Sequence, residues 1–81
     1  MENKLELRVP KVGMDTTEVT VANWLVQPGD NVAQGQPVVE VESEKVTVVI
    51  ESEHDGKIVE IAQSVGETVP VGAVLCILEP R

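Results

Sequence analysis

The sequence predicts an all-β chain, folded as a flattened eight-stranded barrel or sandwich of two four-stranded sheets related by a pseudo-two-fold axis. Three observations predict it. Val supplies 17 of the 81 residues and Ile 4, with no Phe or Tyr and a single Trp, a β-branched composition that favours pleated strands over helices. Apolar residues alternate with period two or run in short clusters, and Gly, Pro and Asp punctuate them at the spacing of short strands. Finally, the second half of the chain repeats the first.

The strands follow in order. Glu6 to Val9 alternates charge with apolar side chains, and Val19 to Val26 carries the next apolar run. Pro28-Gly29-Asp30 turns the chain into a short strand at Asn31 and Val32, and Gln34-Gly35-Gln36 turns it again into Pro37 to Glu42. A polar link leads to Thr47 to Ile50, and Asp55-Gly56 precedes Lys57 to Ile61. Val65-Gly66-Glu67 and Val71-Gly72-Ala73 then bracket Thr68 to Val69 and admit the last strand, Val74 to Leu78.

A shift of 37 residues brings Gly29 onto Gly66, Asp30 onto Glu67, Val32 onto Val69, Gly35 onto Gly72, Val41 onto Leu78 and Val21 onto Ile58. The same shift matches Val9 with Val46, Val12 with Val49 and Arg8 with Lys45, which divides the chain into units 8–44 and 45–81. Neither unit can hide an apolar face alone, so the two pack face to face in one domain spanning 1–81. The link at residues 43–46 and the chain ends near Arg8 and Arg81 then lie on opposite sides of that domain. Whatever the link carries is displayed far from any tether.

Length and charge exclude several function classes. An 81-residue chain of 8.7 kDa buries roughly 60% of its unfolded surface, enough for one core and too little for an interdomain cleft. Six Lys and Arg against 14 Asp and Glu leave a net charge of -8, which repels nucleic acid and anionic membranes. A single cysteine forms no internal disulfide, and no apolar run reaches the roughly 20 residues of a membrane span. These features fit a soluble, intracellular, monomeric domain.

The link reads Glu42-Ser43-Glu44-Lys45-Val46-Thr47, two strand-like stretches joined by a short polar segment, which is a hairpin signal without the Asn-Gly of the tightest turns. Lys45 stands at its tip. It is the one Lys or Arg between Glu40 and Asp55, among Glu40, Glu42, Glu44, Glu51, Glu53 and Asp55. Such a field favours the charged ammonium over an amine nucleophile, so chemistry at Lys45 must be done by another enzyme. On the residues alone, Lys45 is equally readable as a solvated turn residue in weak surface ion pairs.

The chain resembles lipoyl domains of the biotinyl/lipoyl carrier family, found in 2-oxo acid dehydrogenase complexes. The likeness runs through Val9-Pro10-Lys11-Val12-Gly13, Trp24-Leu25-Val26-Gln27-Pro28-Gly29-Asp30, Val39-Glu40-Val41-Glu42-Ser43-Glu44-Lys45-Val46-Thr47-Val48, Gly56-Lys57-Ile58-Val59 and Gly66-Glu67-Thr68-Val69-Pro70-Val71-Gly72. The resemblance implies that lipoate is joined in an amide to Lys45, absent in the apo form, with Ser43, Glu44 and Val46 as the flanking hairpin. Gly56 matches the family's characteristic glycine. Glu44 stands where Asp is usual, and Val46 where Ala is usual. Biotin domains of the family have methionines flanking the lysine, and this chain has none there.

By the same resemblance the domain has no active site of its own and is part of a dihydrolipoamide acyltransferase. Its lipoyl-lysine arm would shuttle acyl groups and reducing equivalents between active sites. The implied partners are a thiamine-dependent 2-oxo acid decarboxylase, the acyltransferase catalytic domain, dihydrolipoamide dehydrogenase and lipoate ligase. The location would be a bacterial cytoplasm or a mitochondrial matrix. Gly13, Met14, Asp15 and Thr16 interrupt the strand pattern as an exposed loop, which the resemblance places beside the lipoyl hairpin, where it helps the decarboxylase choose its domain. The competing readings are a biotin carrier domain and an unmodified β-sandwich interaction module.

Other chemistry is poorly supported. His54 between Glu53 and Asp55 has no second histidine with which to hold a metal. Cys76 lies in an apolar strand with no cationic neighbour and reads as core, and Trp24 reads as packing.

Overall fold

A computed structural model describes residues 4–80. Eight strands and no helix occur among them: β1 (Leu5–Arg8), β2 (Glu18–Trp24), β3 (Asn31–Val32), β4 (Pro37–Glu42), β5 (Thr47–Glu51), β6 (Gly56–Ile61), β7 (Thr68–Pro70) and β8 (Val74–Pro80). All eight expected strands are present, with β3 and β4 as expected and the ends of the others displaced by at most two residues. They form two antiparallel four-stranded sheets, ordered β1-β8-β6-β3 and β5-β4-β2-β7. The sheets are not closed into a barrel, so of the two expected forms the sandwich is the one observed.

Exchanging β1 with β5, β2 with β6, β3 with β7 and β4 with β8 converts one sheet order into the other, which is the pseudo-two-fold relation. Even the irregularities repeat. The β2–β4 register slips between Val21 and Asn23, and the β6–β8 register slips at Ile58/Glu60, 37 residues on. Each such bulge adds twist, which lets a sheet curl over the core. The four positive-φ residues among those described, Gly29, Gly35, Gly66 and Gly72, also fall in two pairs 37 apart, at turns where a side chain would be strained.

The repeat needs one correction. Leu5 pairs with Leu78 and Leu7 with Cys76, whereas Val48 pairs with Val41 and Ile50 with Val39. The counterpart of Leu5 is therefore Val48, that of Leu7 is Ile50, and that of Arg8 is Glu51, a shift of 43 and not 37. The matches of Val9 with Val46, Val12 with Val49 and Arg8 with Lys45, and the unit boundary drawn from them, do not hold. Val9 instead corresponds to Ser52. The Val9 amide donates to the Ala73 carbonyl and its carbonyl accepts from Gly72, as Ser52 does with Gln36 and Gly35. The difference of six residues is an insertion between β1 and β2.

One apolar cluster fills the space between the sheets. Val38, Val39, Val41, Ile58, Leu75 and Cys76 are fully buried at its centre, with Leu7, Val19, Val21, Val32, Val69 and Leu78 around them. The strand alternation explains the selection: in β4 and β8, strands central to their sheets, consecutive residues turn inward only at Val38-Val39 and Leu75-Cys76, where the ladders are irregular. Trp24 caps the cluster from a half-buried position, and its indole Nε1 donates to the Gln63 carbonyl at 2.8 Å. Burial pushes the Cys76 thiol up to about 11, as expected of a core cysteine. His54 is an exposed turn residue whose carbonyl accepts from the buried Ser52 hydroxyl at 2.6 Å.

Candidate functional site

The β4–β5 hairpin carries the site. Its last ladder pair is Glu42 with Thr47, beyond which the Ser43 amide donates to the Val46 carbonyl at 2.8 Å, leaving Glu44 and Lys45 as the two tip residues. Among the described residues none but glycine has a positive φ, so the tip is not one of the mirrored turns that the strand twist prefers. This accounts for a hairpin without Asn-Gly. Lys45 is exposed and makes no hydrogen bond or ion pair among the described residues.

The register places that tip relative to the rest of the sandwich. β5 leads away from Lys45 to Glu51, the chain turns through residues 52–55, and Gly56 then pairs with Pro80. The tip and the end of β8 therefore sit at opposite ends of a molecule whose longest dimension is 38 Å. The expected separation of hairpin and chain end holds as far as Pro80, while Arg81 lies outside the described residues.

The six-residue insertion lies beside the hairpin. The Thr16 amide donates to the Gly13 carbonyl at 3.3 Å, which curls Gly13, Met14, Asp15 and Thr16 into a turn, and the Thr17 carbonyl accepts from Val71 at 2.9 Å. This loop, the start of β2 and the hairpin residues Glu42, Ser43, Glu44, Lys45 and Val46 line one open groove of about 730 Å³. Met14 is 91% exposed and Val46 50%, so both present apolar side chains to this groove. The structure thus brings together both sets of residues singled out from the sequence. The groove also includes Thr20 and Thr68, whose hydroxyls lie 3.1 Å apart across β2 and β7. Sequence reasoning missed this pair because its members are 48 residues apart and meet only through sheet pairing.

An amide on the Lys45 Nζ fits this geometry. The amine is exposed on a two-residue tip, so an acyl group attached there needs no rearrangement of the core. The biotin/lipoyl family model, described as biotin-requiring enzyme, matches residues 5–78. The chain belongs to this family. Among curated relatives, it is 45% identical over 74 residues to the dihydrolipoyllysine-residue succinyltransferase component of the 2-oxoglutarate dehydrogenase complex of Bartonella vinsonii, covering 91% of this chain and 18% of the relative. The corresponding Bacillus subtilis component is 40% identical over 70 residues, covering 86% of this chain and 17% of the relative.

Among solved structures, the lipoyl domain of the Azotobacter vinelandii 2-oxoglutarate dehydrogenase complex superposes with a TM-score of 0.74 at 32% identity, covering 91% of this chain and 94% of that one. A single-chain long-chain acyl-CoA carboxylase gives a TM-score of 0.81 at 19% identity, which shows a shared fold only. The chain spans less than a fifth of the acyltransferase components and nearly all of the isolated lipoyl domain. It corresponds to their carrier domain and not to their catalytic domain.

Proposed function

We propose that this domain carries lipoate in amide linkage on Lys45 and presents it to the successive active sites of a 2-oxo acid dehydrogenase complex. The observation that carries the reading is the exposed Lys45, without a partner among the described residues, at a hairpin tip at the far end of the sandwich from Pro80. When bound, the dithiolane supplies a reducible disulfide that accepts an acyl group and two electrons. The domain supplies display and recognition. A tethered arm acts at high effective concentration, so each partner encounter can be weak.

The relatives' roles support as partners a thiamine-dependent decarboxylase, an acyltransferase catalytic domain, dihydrolipoamide dehydrogenase and a lipoate ligase. We assign decarboxylase recognition to Gly13, Met14, Asp15 and Thr16, since the insertion gives the hairpin one asymmetric wall. The location that suits such a complex is a bacterial cytoplasm or a mitochondrial matrix. Glu44 and Val46 in place of flanking methionines favour lipoate over biotin.

Intact mass after incubation with a lipoate ligase, and separately with a biotin ligase, tests the reading. A single lipoyl adduct that disappears in Lys45→Arg is expected. A biotin adduct alone would make this a carboxylase carrier, and no adduct from either ligase would leave an interaction module.

A further inference from the structure

The hairpin tip lacks one of the bonds that normally close it. In a two-residue hairpin the residues flanking the tip exchange two backbone hydrogen bonds. Here the Ser43 amide makes its bond to the Val46 carbonyl, but the Val46 amide does not reach the Ser43 carbonyl. It donates to the Ser43 side-chain Oγ at 3.3 Å, and the same hydroxyl donates back to the Val46 carbonyl at 3.3 Å. One hydroxyl therefore holds both backbone groups of Val46.

The reason lies in the tip conformation. With φ negative at Glu44 and Lys45, the turn has the hand that splays the strands, and the second backbone bond is not made. A serine reaching from the first position to the amide three residues on resembles the cap of a helical turn. It spans the gap without requiring a positive φ at Lys45, which a non-glycine residue adopts only at a cost.

We infer that Ser43 is a positioning residue for the modification reaction: its hydroxyl latches Val46 and so holds Lys45 in the one turn conformation that a lipoate ligase accepts. This inference rests on the carrier reading. Alanine in its place leaves the Val46 amide without its partner at an exposed tip, where water replaces the bond and the turn samples other conformers. Ser43 is half-buried and is not a member of the apolar cluster, so the change removes the hydroxyl without opening a cavity among the core side chains.

The test compares wild type, Ser43→Ala and Ser43→Thr for lipoate-ligase kinetics, thermal stability and hydrogen exchange at the Val46 amide. Loss of the latch lowers kcat/KM for loading by about three- to tenfold, the range of a single hydrogen bond. The midpoint of unfolding stays within about 2 °C, the Val46 amide exchanges faster by a similar factor, and threonine restores both rates. Wild-type loading kinetics in Ser43→Ala, or a threonine variant as slow as alanine, overturns the inference. Should wild type take no lipoate, the carrier reading fails, and the Val46 exchange rates still decide whether the hydroxyl orders the tip.

Discussion

Replacing Gly56 by alanine is a sharp test of the packing, because the cost can be read from one distance. Gly56 opens β6, is buried, and pairs with both Val32 and Pro80. A Cβ there would stand 2.6 Å from the Glu79 carbonyl oxygen, 3.3 Å from its carbon and 3.4 Å from the Pro80 Cα. All three are backbone atoms of β8, held by the neighbouring Lys57–Glu79 pair, so none can swing aside as a side chain would. Strand separation must increase by several tenths of an ångström at a central ladder. Overpacking of this kind costs about 1–3 kcal/mol, which for a domain of this size lowers Tm by roughly 5–20 °C.

Gly13 is the matched control. There the added Cβ meets the Thr16 Oγ1 at 3.1 Å, a side-chain atom that can rotate, so Gly13→Ala should cost under about 0.5 kcal/mol. Urea denaturation of the two variants, with equal m values, provides the comparison. A Gly56→Ala domain within about 0.5 kcal/mol of wild type would refute the reasoning, since β8 would then be shown to yield without resistance. Because Gly56 lies at the opposite end of the molecule from Lys45, lipoate loading of the folded variant well below its Tm should match wild type.

Lys45→Arg keeps the charge and the exposed position, so its Tm should stay within about 2 °C of wild type while the ligase adduct vanishes; a large loss of stability would show that the tip is structurally committed. The raised Cys76 thiol makes a pH prediction. Its folded value is about 11 against 9.0 for the free group, so the neutral thiol is favoured in the fold, and its stabilisation is complete below pH 9 and lost between pH 9 and about 11. Chemical denaturation across that window should show a decline in wild type that is smaller in Cys76→Ala, and native Cys76 should resist a thiol reagent at pH 8. Trp24→Phe removes the indole donor to the Gln63 carbonyl and should cost about 1 kcal/mol with a retained fold, measurable as a lower urea midpoint. If the net charge of -8 steers docking onto basic partner surfaces, raising ionic strength should slow reductive acylation; a salt-independent rate would remove electrostatics from the encounter.

The fold was legible because strand periodicity, turn residues and the repeat agree with one another. The β-branched composition favours strands over helices, and positive-φ glycines 37 residues apart mark equivalent turns in the two units. The correction at β1 shows the limit of that reading. Val9, Val12, Val46 and Val49 are interchangeable by composition, so an apolar match at shift 37 carries no information about register. Only the ladder pairs of Leu5 with Leu78 and Val48 with Val41 distinguish the true shift of 43. Lys45 stood out as a lone cation in an acidic link. The groove wall formed by Thr20 and Thr68 did not, since nothing local marks residues that meet through β2 and β7.

Sequence by itself determined the strand set, the two-unit organisation and the identity of the displayed amine, because each is written in local terms: alternation, turn chemistry and a charge pattern. Tertiary structure alone decided the true register of β1, the Thr20 and Thr68 wall of the groove, and how Ser43 closes the tip. Those depend on hydrogen-bond register and backbone hand, which are fixed only when two distant strands pair and one residue of slippage would turn every side chain to the other face.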